Sequence, residues 1–101
     1  MKYPKEYLDE IKTRLKVSTV VSKSVNLKKR GKEFVGLSPF KTEKTPSFTV
    51  NDEKGFYHCF STAEHGNIFD FIMKTQNLKF GEAVKYLANL AGMQPYLFSK
   101  K

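Results

Sequence analysis

Cysteine, tryptophan and long apolar segments are scarce or missing in this chain of 101 residues, which has one cysteine and no tryptophan. A single cysteine excludes an internal disulfide and is typical of a reducing compartment. No apolar run approaches the ~20 residues of a membrane-spanning helix, and the N-terminus lacks the apolar core of a signal peptide. The acidic residues stand singly or in pairs, whereas a two-metal catalytic centre needs clustered carboxylates. We therefore expect no membrane partner and no catalytic residue in this chain.

Positive charge is abundant and uneven along the sequence. The formal net charge is +8; residues 1–50 hold twelve Lys and Arg against five acids, and residues 51–101 hold six against five. The stretch from Lys23 to Lys32 is the densest and contains no acid. Such a patch attracts polyanions, although a solvated surface has the same composition. A membrane surface is disfavoured because the cations lie on a predicted hairpin and not on an amphipathic helix.

Apolar spacing and turn residues predict helices at both ends of the chain and strands between them. We expect helices over about 4–16, 18–21, 67–75 and 81–91, and strands over about 25–27, 34–37, 47–50 and 55–60. Ser18 and Asn67 are the expected N-caps, and Asp70 favours the helix dipole after Asn67. Gly31 supplies the first hairpin turn. The pattern predicts an α+β domain.

The segment from Gly36 to Asn67 carries the most specific motifs. It contains Glu-Lys-Thr-Pro-Ser-Phe at 43–48, Phe-Tyr-His-Cys-Phe at 56–60 and Gly-Asn at 66–67. These motifs resemble the zinc-binding domain at the N-terminus of bacterial DNA primases, a CHC2-type zinc ribbon, over about residues 17–93. The resemblance implies a zinc-ribbon-like antiparallel sheet of about four or five strands, flanked by N- and C-terminal helices. It also places primase catalysis in a separate domain.

The resemblance assigns the family's four zinc-ligand positions to residues that have largely lost their donors. These positions are Ser38, Lys41, Cys59 and Thr62. Serine and threonine hydroxyls are poor zinc ligands at neutral pH, and an ammonium repels a cation. His58 cannot easily join Cys59 at one ion, because adjacent strand residues face opposite ways. We therefore predict that zinc, expected in the family, is absent here and that no other cofactor is present.

Two interpretations of the altered positions stay open. In the first, the Lys41 ammonium fills the ion position, Ser38 and Thr62 accept its hydrogen bonds, Glu64 supplies the counter-charge, and Cys59 is a small buried apolar group. In the second, Lys41 points to solvent and the other three residues pack or cap turns independently.

Aromatic side chains on the two central strands, with cations at their margin, are typical of a single-strand platform. The predicted nucleic-acid-binding residues are Lys28, Lys29, Arg30, Lys32, Lys44, Ser47, Phe48, Tyr57 and His58. Alternation places Phe56, His58 and Phe60 on one face and Tyr57 and Cys59 on the other. We expect Phe34, Phe40 and Phe60 to lie in the core and His65 to lie in a turn.

The resemblance implies a role in RNA primer synthesis. Residues 1–94 are expected to form a domain that binds the single-stranded DNA template and helps select the start site, and 95–101 to begin a linker. The fragment is not itself an enzyme; its parent is expected to be a DNA-directed RNA polymerase in the bacterial cytoplasm, associated with the nucleoid. Expected partners are the RNA primer, the polymerase domain in cis or trans, and the replicative helicase through the full-length protein. Two alternatives are a docking module with little DNA binding and a stand-alone regulatory protein.

Overall fold

A five-stranded antiparallel sheet follows one pair of helices and precedes a second pair along the chain in the computed structural model, which describes residues 3–96. The elements are α1 (Lys5–Arg14), α2 (Val17–Val21), β1 (Lys28–Arg30), β2 (Glu33–Gly36), β3 (Phe48–Asn51), β4 (Phe56–Cys59), β5 (His65–Gly66), α3 (Ile68–Gln76) and α4 (Phe80–Leu90). The strands are neighbours in sequence order. The predicted α+β, zinc-ribbon-like class is confirmed. None of the described helices has the length and apolar character needed to cross a bilayer.

One face of the sheet forms the core with the helices. Phe48, Val50, Tyr57 and Cys59 are all 0% exposed. Helix α2 packs on β3 and α3, and α3 packs on α4. The buried residues of the helices are Ile11, Val17, Val20, Val21, Ile68, Phe69, Phe71, Ile72, Ala83, Val84, Leu87 and Ala88. The other face of the sheet stays open, as is common for antiparallel sheets.

Helix α3 begins at the predicted N-cap. Asn67 Oδ1 accepts hydrogen bonds from the N–H groups of Phe69 (2.9 Å) and Asp70 (3.1 Å). Asp70 Oδ2 in turn accepts from the Asn67 N–H at 3.0 Å, which completes a capping box. A Cβ atom at Gly66 would lie 2.5 Å from Asp70 Oδ2. Gly66, which precedes the N-cap, has no side chain and therefore leaves room for the Asp70 carboxylate that completes the capping box.

Three local predictions are wrong. Helix α2 begins at Val17, and Ser18 donates from its N–H and hydroxyl to Asp52 at 2.8 and 2.6 Å, so it is not the N-cap. The first strand starts at Lys28, after the predicted segment 25–27. His65 lies in β5, directly opposite His58, and not in a turn.

The end of the described chain contacts α1. The Tyr7 hydroxyl donates to the Gln94 carbonyl at 2.8 Å, and the Tyr96 ring lies 5.3 Å from the Tyr7 ring. Most of the predicted linker, 97–101, lies outside the described residues. The domain boundary at residue 94 stays a prediction.

Candidate nucleic-acid interface

The open face of the sheet carries two rows of side chains that cross the strands. In the first row each residue is paired in register with the next: Lys28, Val35, Thr49, His58 and His65. In the second row, Arg30 pairs with Glu33 and Asn51 pairs with Phe56. Asn51 Nδ2 also lies 3.5 Å from Glu33 Oε2, so the row consists of Arg30, Glu33, Asn51 and Phe56. Cations therefore stand at the β1 edge and aromatic rings at the β4 end.

The aromatic end of the open face is accessible. Phe56 is 54% exposed and Phe60, just after β4, is 68% exposed. The His58 ring lies 4.3 Å from the Phe60 ring at an interplanar angle of 77°. The prediction that Phe60 belongs to the core is wrong, because it alternates with the buried Cys59 and points away from the helices. Phe56 also lies on this face, although it is not among the predicted binding residues. The alternation of side chains along β4 indicates that it shares a face with His58 and Phe60.

Phe48 and Tyr57 cannot stack on a base in this structure. Both are 0% exposed, and their rings stack on each other at 5.4 Å beneath the helices. Their burial argues against base stacking, and their contact with nucleic acid stays a prediction. The physical reason for their burial is the register: Phe48 pairs with Cys59 and Val50 pairs with Tyr57, which places these four residues on the core face.

The predicted basic residues divide between the two faces of the hairpin. Lys28 and Arg30 belong to the open face, whereas Lys29 lies on the other face, with its Nζ 5.8 Å from the ring of the half-buried Phe34. Lys32 is exposed in the turn. A groove beside the hairpin is lined by Lys28, Val35, Leu37 and Lys44, among others. That groove combines an apolar floor with two ammonium groups.

Ser47 is held by a neighbouring acid and is not free to meet a base. Its hydroxyl donates to Glu43 Oε1 at 2.7 Å and its N–H to Glu43 Oε2 at 3.1 Å. The Ser38 N–H donates to the same Oε2 at 2.8 Å. These hydrogen bonds, foremost that of the Ser47 hydroxyl, lower the pKa of Glu43, which is therefore a carboxylate at neutral pH. Whether Ser47 contributes to DNA binding stays a prediction.

Cys59, at one of the four positions that the resemblance assigns to zinc ligands, lies among hydroxyl groups. Its Sγ is 3.1 Å from Ser38 Oγ and 3.3 Å from Ser61 Oγ. Burial alone would raise the pKa of the thiol, but hydrogen bonds with Ser38, Ser61 and Thr62 together lower it to about 6. The expectation of an apolar packing group is wrong in this respect: Cys59 is buried, but it is a polar, ionisable group in a hydrogen-bonded network.

The lysine that reaches this region is Lys74 of α3, not Lys41. The Lys74 Nζ lies 2.9 Å from Glu64 Oε1 and 6.0 Å from the centre of the Phe40 ring. The hydrogen bond that Lys74 donates to the Glu64 carboxylate raises the pKa of Lys74, so its ammonium persists at neutral pH. Lys41 is exposed, and the interpretation in which it fills the ion position beside Glu64 is wrong.

The side chains at the four ligand positions do not fit zinc. Protein zinc sites use thiolate, imidazole or carboxylate donors, usually four of them, and these positions offer one thiol. Among residues 3–96, no group of three or more His, Cys, Asp or Glu side chains is placed to hold an ion.

The Tyr57 hydroxyl provides a direct test of the buried face. Within the described residues its oxygen is buried without a hydrogen-bond partner. Burial raises its pKa, and the nearby Lys74 ammonium opposes this rise through its charge and through a contact with the hydroxyl that falls outside hydrogen-bond geometry. Because an unpaired buried hydroxyl is costly, Tyr57→Phe is expected to keep the free energy of unfolding unchanged or raise it by ~1 kcal/mol, measured by urea denaturation at neutral pH. Because burial favours the neutral phenol, the free energy of unfolding should decrease as the pH rises above about 10. Tyr57→Phe has no ionisable hydroxyl at this position and should show a smaller decrease.

The matched control is the same chemical change at Tyr7, whose hydroxyl has a partner at 2.8 Å. Tyr7→Phe should lower the free energy of unfolding by ~0.5–1.5 kcal/mol. A larger loss in Tyr57→Phe than in Tyr7→Phe would contradict the unpaired burial of Tyr57.

Comparison with known proteins gives a consistent result. The family model described as CHC2 zinc finger matches residues 3–100. The DNA primase of Haemophilus influenzae is 43% identical over 94 residues, 92% of this chain and 16% of that protein. The DNA primase of Pseudomonas putida is 46% identical over 91 residues, 90% of this chain and 14% of that protein. The DNA primase of Escherichia coli K12 is 43% identical over 91 residues, 90% of this chain and 16% of that protein.

A solved structure matches the fold. The crystal structure of the Aquifex aeolicus primase, which contains zinc-binding and RNA polymerase domains, aligns with a TM-score of 0.81 at 28% identity, over 87% of this chain and 22% of that chain. This chain thus spans only 14–16% of the length of the curated relatives named above.

Proposed function

This chain belongs to the CHC2-type zinc-ribbon family of bacterial DNA primases, and from that membership we propose that it binds single-stranded template DNA on the open face of its sheet. The observation that carries the proposal is the pairing of exposed rings with a cationic edge on that face. Bases stack on aromatic rings while phosphates contact Lys and Arg, and this arrangement tolerates any sequence.

The register of the sheet supports one path for the DNA strand. Phe56 and Phe60 offer ring faces at the β4 end, and His58 between them offers nitrogen atoms for a base edge. Lys28 and Arg30 lie across the sheet, where they contact the phosphates of the same strand. We propose that the strand runs across the sheet from the rings toward the hairpin.

Within a longer primase, this domain takes part in start-site selection and RNA primer synthesis. The parent is then a DNA-directed RNA polymerase that acts in the bacterial cytoplasm, associated with the nucleoid. Its polymerase domain and RNA primer are partners of this domain, and the replicative helicase is a partner of the full-length protein. The relatives support this proposal because all three are DNA primases.

Replacing the most exposed ring tests the platform. Phe60→Ala should weaken binding of a fluorescein-labelled oligodeoxythymidylate by ~5–150-fold, which corresponds to ~1–3 kcal/mol for one stacked base. Fluorescence anisotropy titrations measure the affinity, and a thermal melt checks that the fold is retained.

Tyr86→Ala is the matched control. Tyr86 is an exposed aromatic residue, 39% accessible, but it lies on α4 and not on the sheet. We expect its removal to leave the affinity unchanged. Equal losses in both variants, or no loss in Phe60→Ala, would rule out stacking on the open face.

A second function, docking to the polymerase domain, is favoured by an aromatic cluster at the helical side. The Tyr3 ring lies 5.8 Å from Tyr7, 6.4 Å from Phe80 and 5.8 Å from Tyr96, and Phe80 is 41% exposed. Exposed aromatic clusters are common at protein interfaces. Titration calorimetry with the polymerase domain of a related primase would test this role, and Phe80→Ala should weaken that binding while leaving DNA affinity intact.

A further inference from the structure

We propose that this domain folds and keeps its shape without zinc, because a carboxylate–hydroxyl network and one lysine join the two loops that carry the family's ligand positions. The first loop, residues 37–47, carries Ser38 and Lys41; the second runs from Cys59, the last residue of β4, to residue 64 and includes Thr62. A structural ion in such a domain connects two loops of this kind and supplies folding free energy directly. Side chains must therefore make the same connection here.

The Glu43 carboxylate closes the first loop on itself. It accepts hydrogen bonds from the backbone N–H groups at the beginning and end of the loop, Ser38 and Ser47, and from the Ser47 hydroxyl. Hydrogen bonds to an ionised acceptor are stronger than neutral ones. The Ser38 hydroxyl also accepts from the Phe40 N–H at 3.0 Å. The loop is therefore closed by local hydrogen bonds whose formation requires no ion.

Hydroxyl contacts then join the first loop to the second. The Ser47 hydroxyl shares a hydrogen bond with Ser61 at 2.9 Å, and Cys59 Sγ shares one with Ser38 at 3.1 Å. Cys59 also binds its own loop, through its N–H to the Glu64 carbonyl and through its carbonyl to the Ala63 N–H, both at 2.8 Å. Each loop is thus internally bonded and bonded to the other.

Lys74 adds a positive charge between the loops. It pairs with Glu64 of the second loop and lies over the Phe40 ring of the first. Because this ammonium comes from α3, it also fastens both loops to the helical core. A side chain from a different part of the fold thus supplies one cation that contacts both loops.

The consequence is that folding should be independent of zinc supply. In the wild-type protein, metal analysis by mass spectrometry should find far less than one zinc per chain, and EDTA should leave the melting temperature unchanged. Stoichiometric zinc, or a lower melting temperature in EDTA, would overturn the proposal. Zinc content and melting temperature are measured without DNA, so their outcome is independent of the proposed template binding.

Glu43→Gln tests the network. The isosteric amide loses the charge and one acceptor oxygen, so we expect the melting temperature to fall by about 5 °C or more. Glu53→Gln, the same change at an exposed acid in the β3–β4 loop, is the matched control and should melt like the wild type. Equal melting temperatures for both variants would show that the Glu43 hydrogen bonds do not hold the loop. Failure of Glu43→Gln to fold, with Glu53→Gln intact, would support the network.

Restoring the ligands tests the geometry. The triple variant Ser38→Cys, Lys41→His, Thr62→Cys supplies, with Cys59, the four donors of a structural zinc site. We expect it to bind one zinc and to become sensitive to EDTA, because the loops already hold these positions together. A folded triple variant that binds no zinc would contradict the claim that the network maintains the ligand spacing.

Discussion

Phe48→Ala is expected to unfold the domain. The Phe48 side chain is 0% exposed, and its ring lies 5.4 Å from Tyr57 and 6.0 Å from both Phe40 and Phe71. Removal of a buried phenylalanine costs ~3–5 kcal/mol, a large share of the ~5–15 kcal/mol that stabilises a domain of this size. Circular dichroism should show loss of secondary structure or a melting temperature far below that of the wild type.

Phe60→Ala is the matched control for this prediction. The same side chain is removed one residue after β4, but from a position that is 68% exposed. Its free energy of unfolding should stay within ~0.5 kcal/mol of the wild type. If instead Phe48→Ala melted normally and lost DNA affinity, Phe48 would belong to the binding surface and the core described here would be wrong.

Phe48 and Phe60 show what the sequence of one strand can and cannot predict about burial. Alternation in β4 correctly separates Phe56, His58 and Phe60 from Tyr57 and Cys59. Both sets contain aromatic residues, so hydrophobicity does not say which set faces the helices. That depends on the pairing of β4 with β3 and on the position of α3, which are long-range contacts.

Local chemistry accounts for the elements that were predicted well. The hairpin turn has Gly31 at φ +63°, a conformation that glycine adopts readily, and α3 starts at the Asn67 capping box. The errors involve distant partners. Ser18 looks like an N-cap, but its hydroxyl is bound by Asp52, 34 residues away. Strand β5 has only two residues, too few for any pattern.

The positions that the resemblance assigns to zinc ligands illustrate the same limit, because contacts between distant residues are not visible in the sequence. Sequence shows that the donors at 38, 41 and 62 are lost, because ligand chemistry is a property of each residue. It does not show which side chains would join the two loops in a domain without zinc. Lys41 is the cation nearest in sequence, whereas Lys74 reaches the loops only because α3 packs beside β5. Glu43 lies in a motif read from the sequence, but its bonds to Ser38 and Ser47 require the folded loop.

Charge reversal on the open face of the hairpin should have the largest effect on DNA affinity. In the double variant Lys28→Glu, Arg30→Glu, two cations beside the strand become anions. Affinity for oligodeoxythymidylate at low salt should fall by ~100-fold or more. The slope of log affinity against log salt should decrease in magnitude by ~1.4, since each lost phosphate contact contributes ~0.7 for a single strand. Anisotropy titrations at several salt concentrations measure both quantities.

Two controls separate this contact from a general effect of net charge. Lys5→Glu, Lys85→Glu makes the same charge change on α1 and α4, where both lysines are exposed, and should reduce affinity only slightly. Lys29→Glu changes the neighbouring residue of β1 that faces Phe34, and should have a smaller effect than reversal of Lys28 alone. If the open-face double variant bound DNA like the wild type, the hairpin would not contact the template, and docking to the polymerase domain would become the favoured function. Equal losses in all variants would instead indicate attraction by overall charge, without a defined path for the strand.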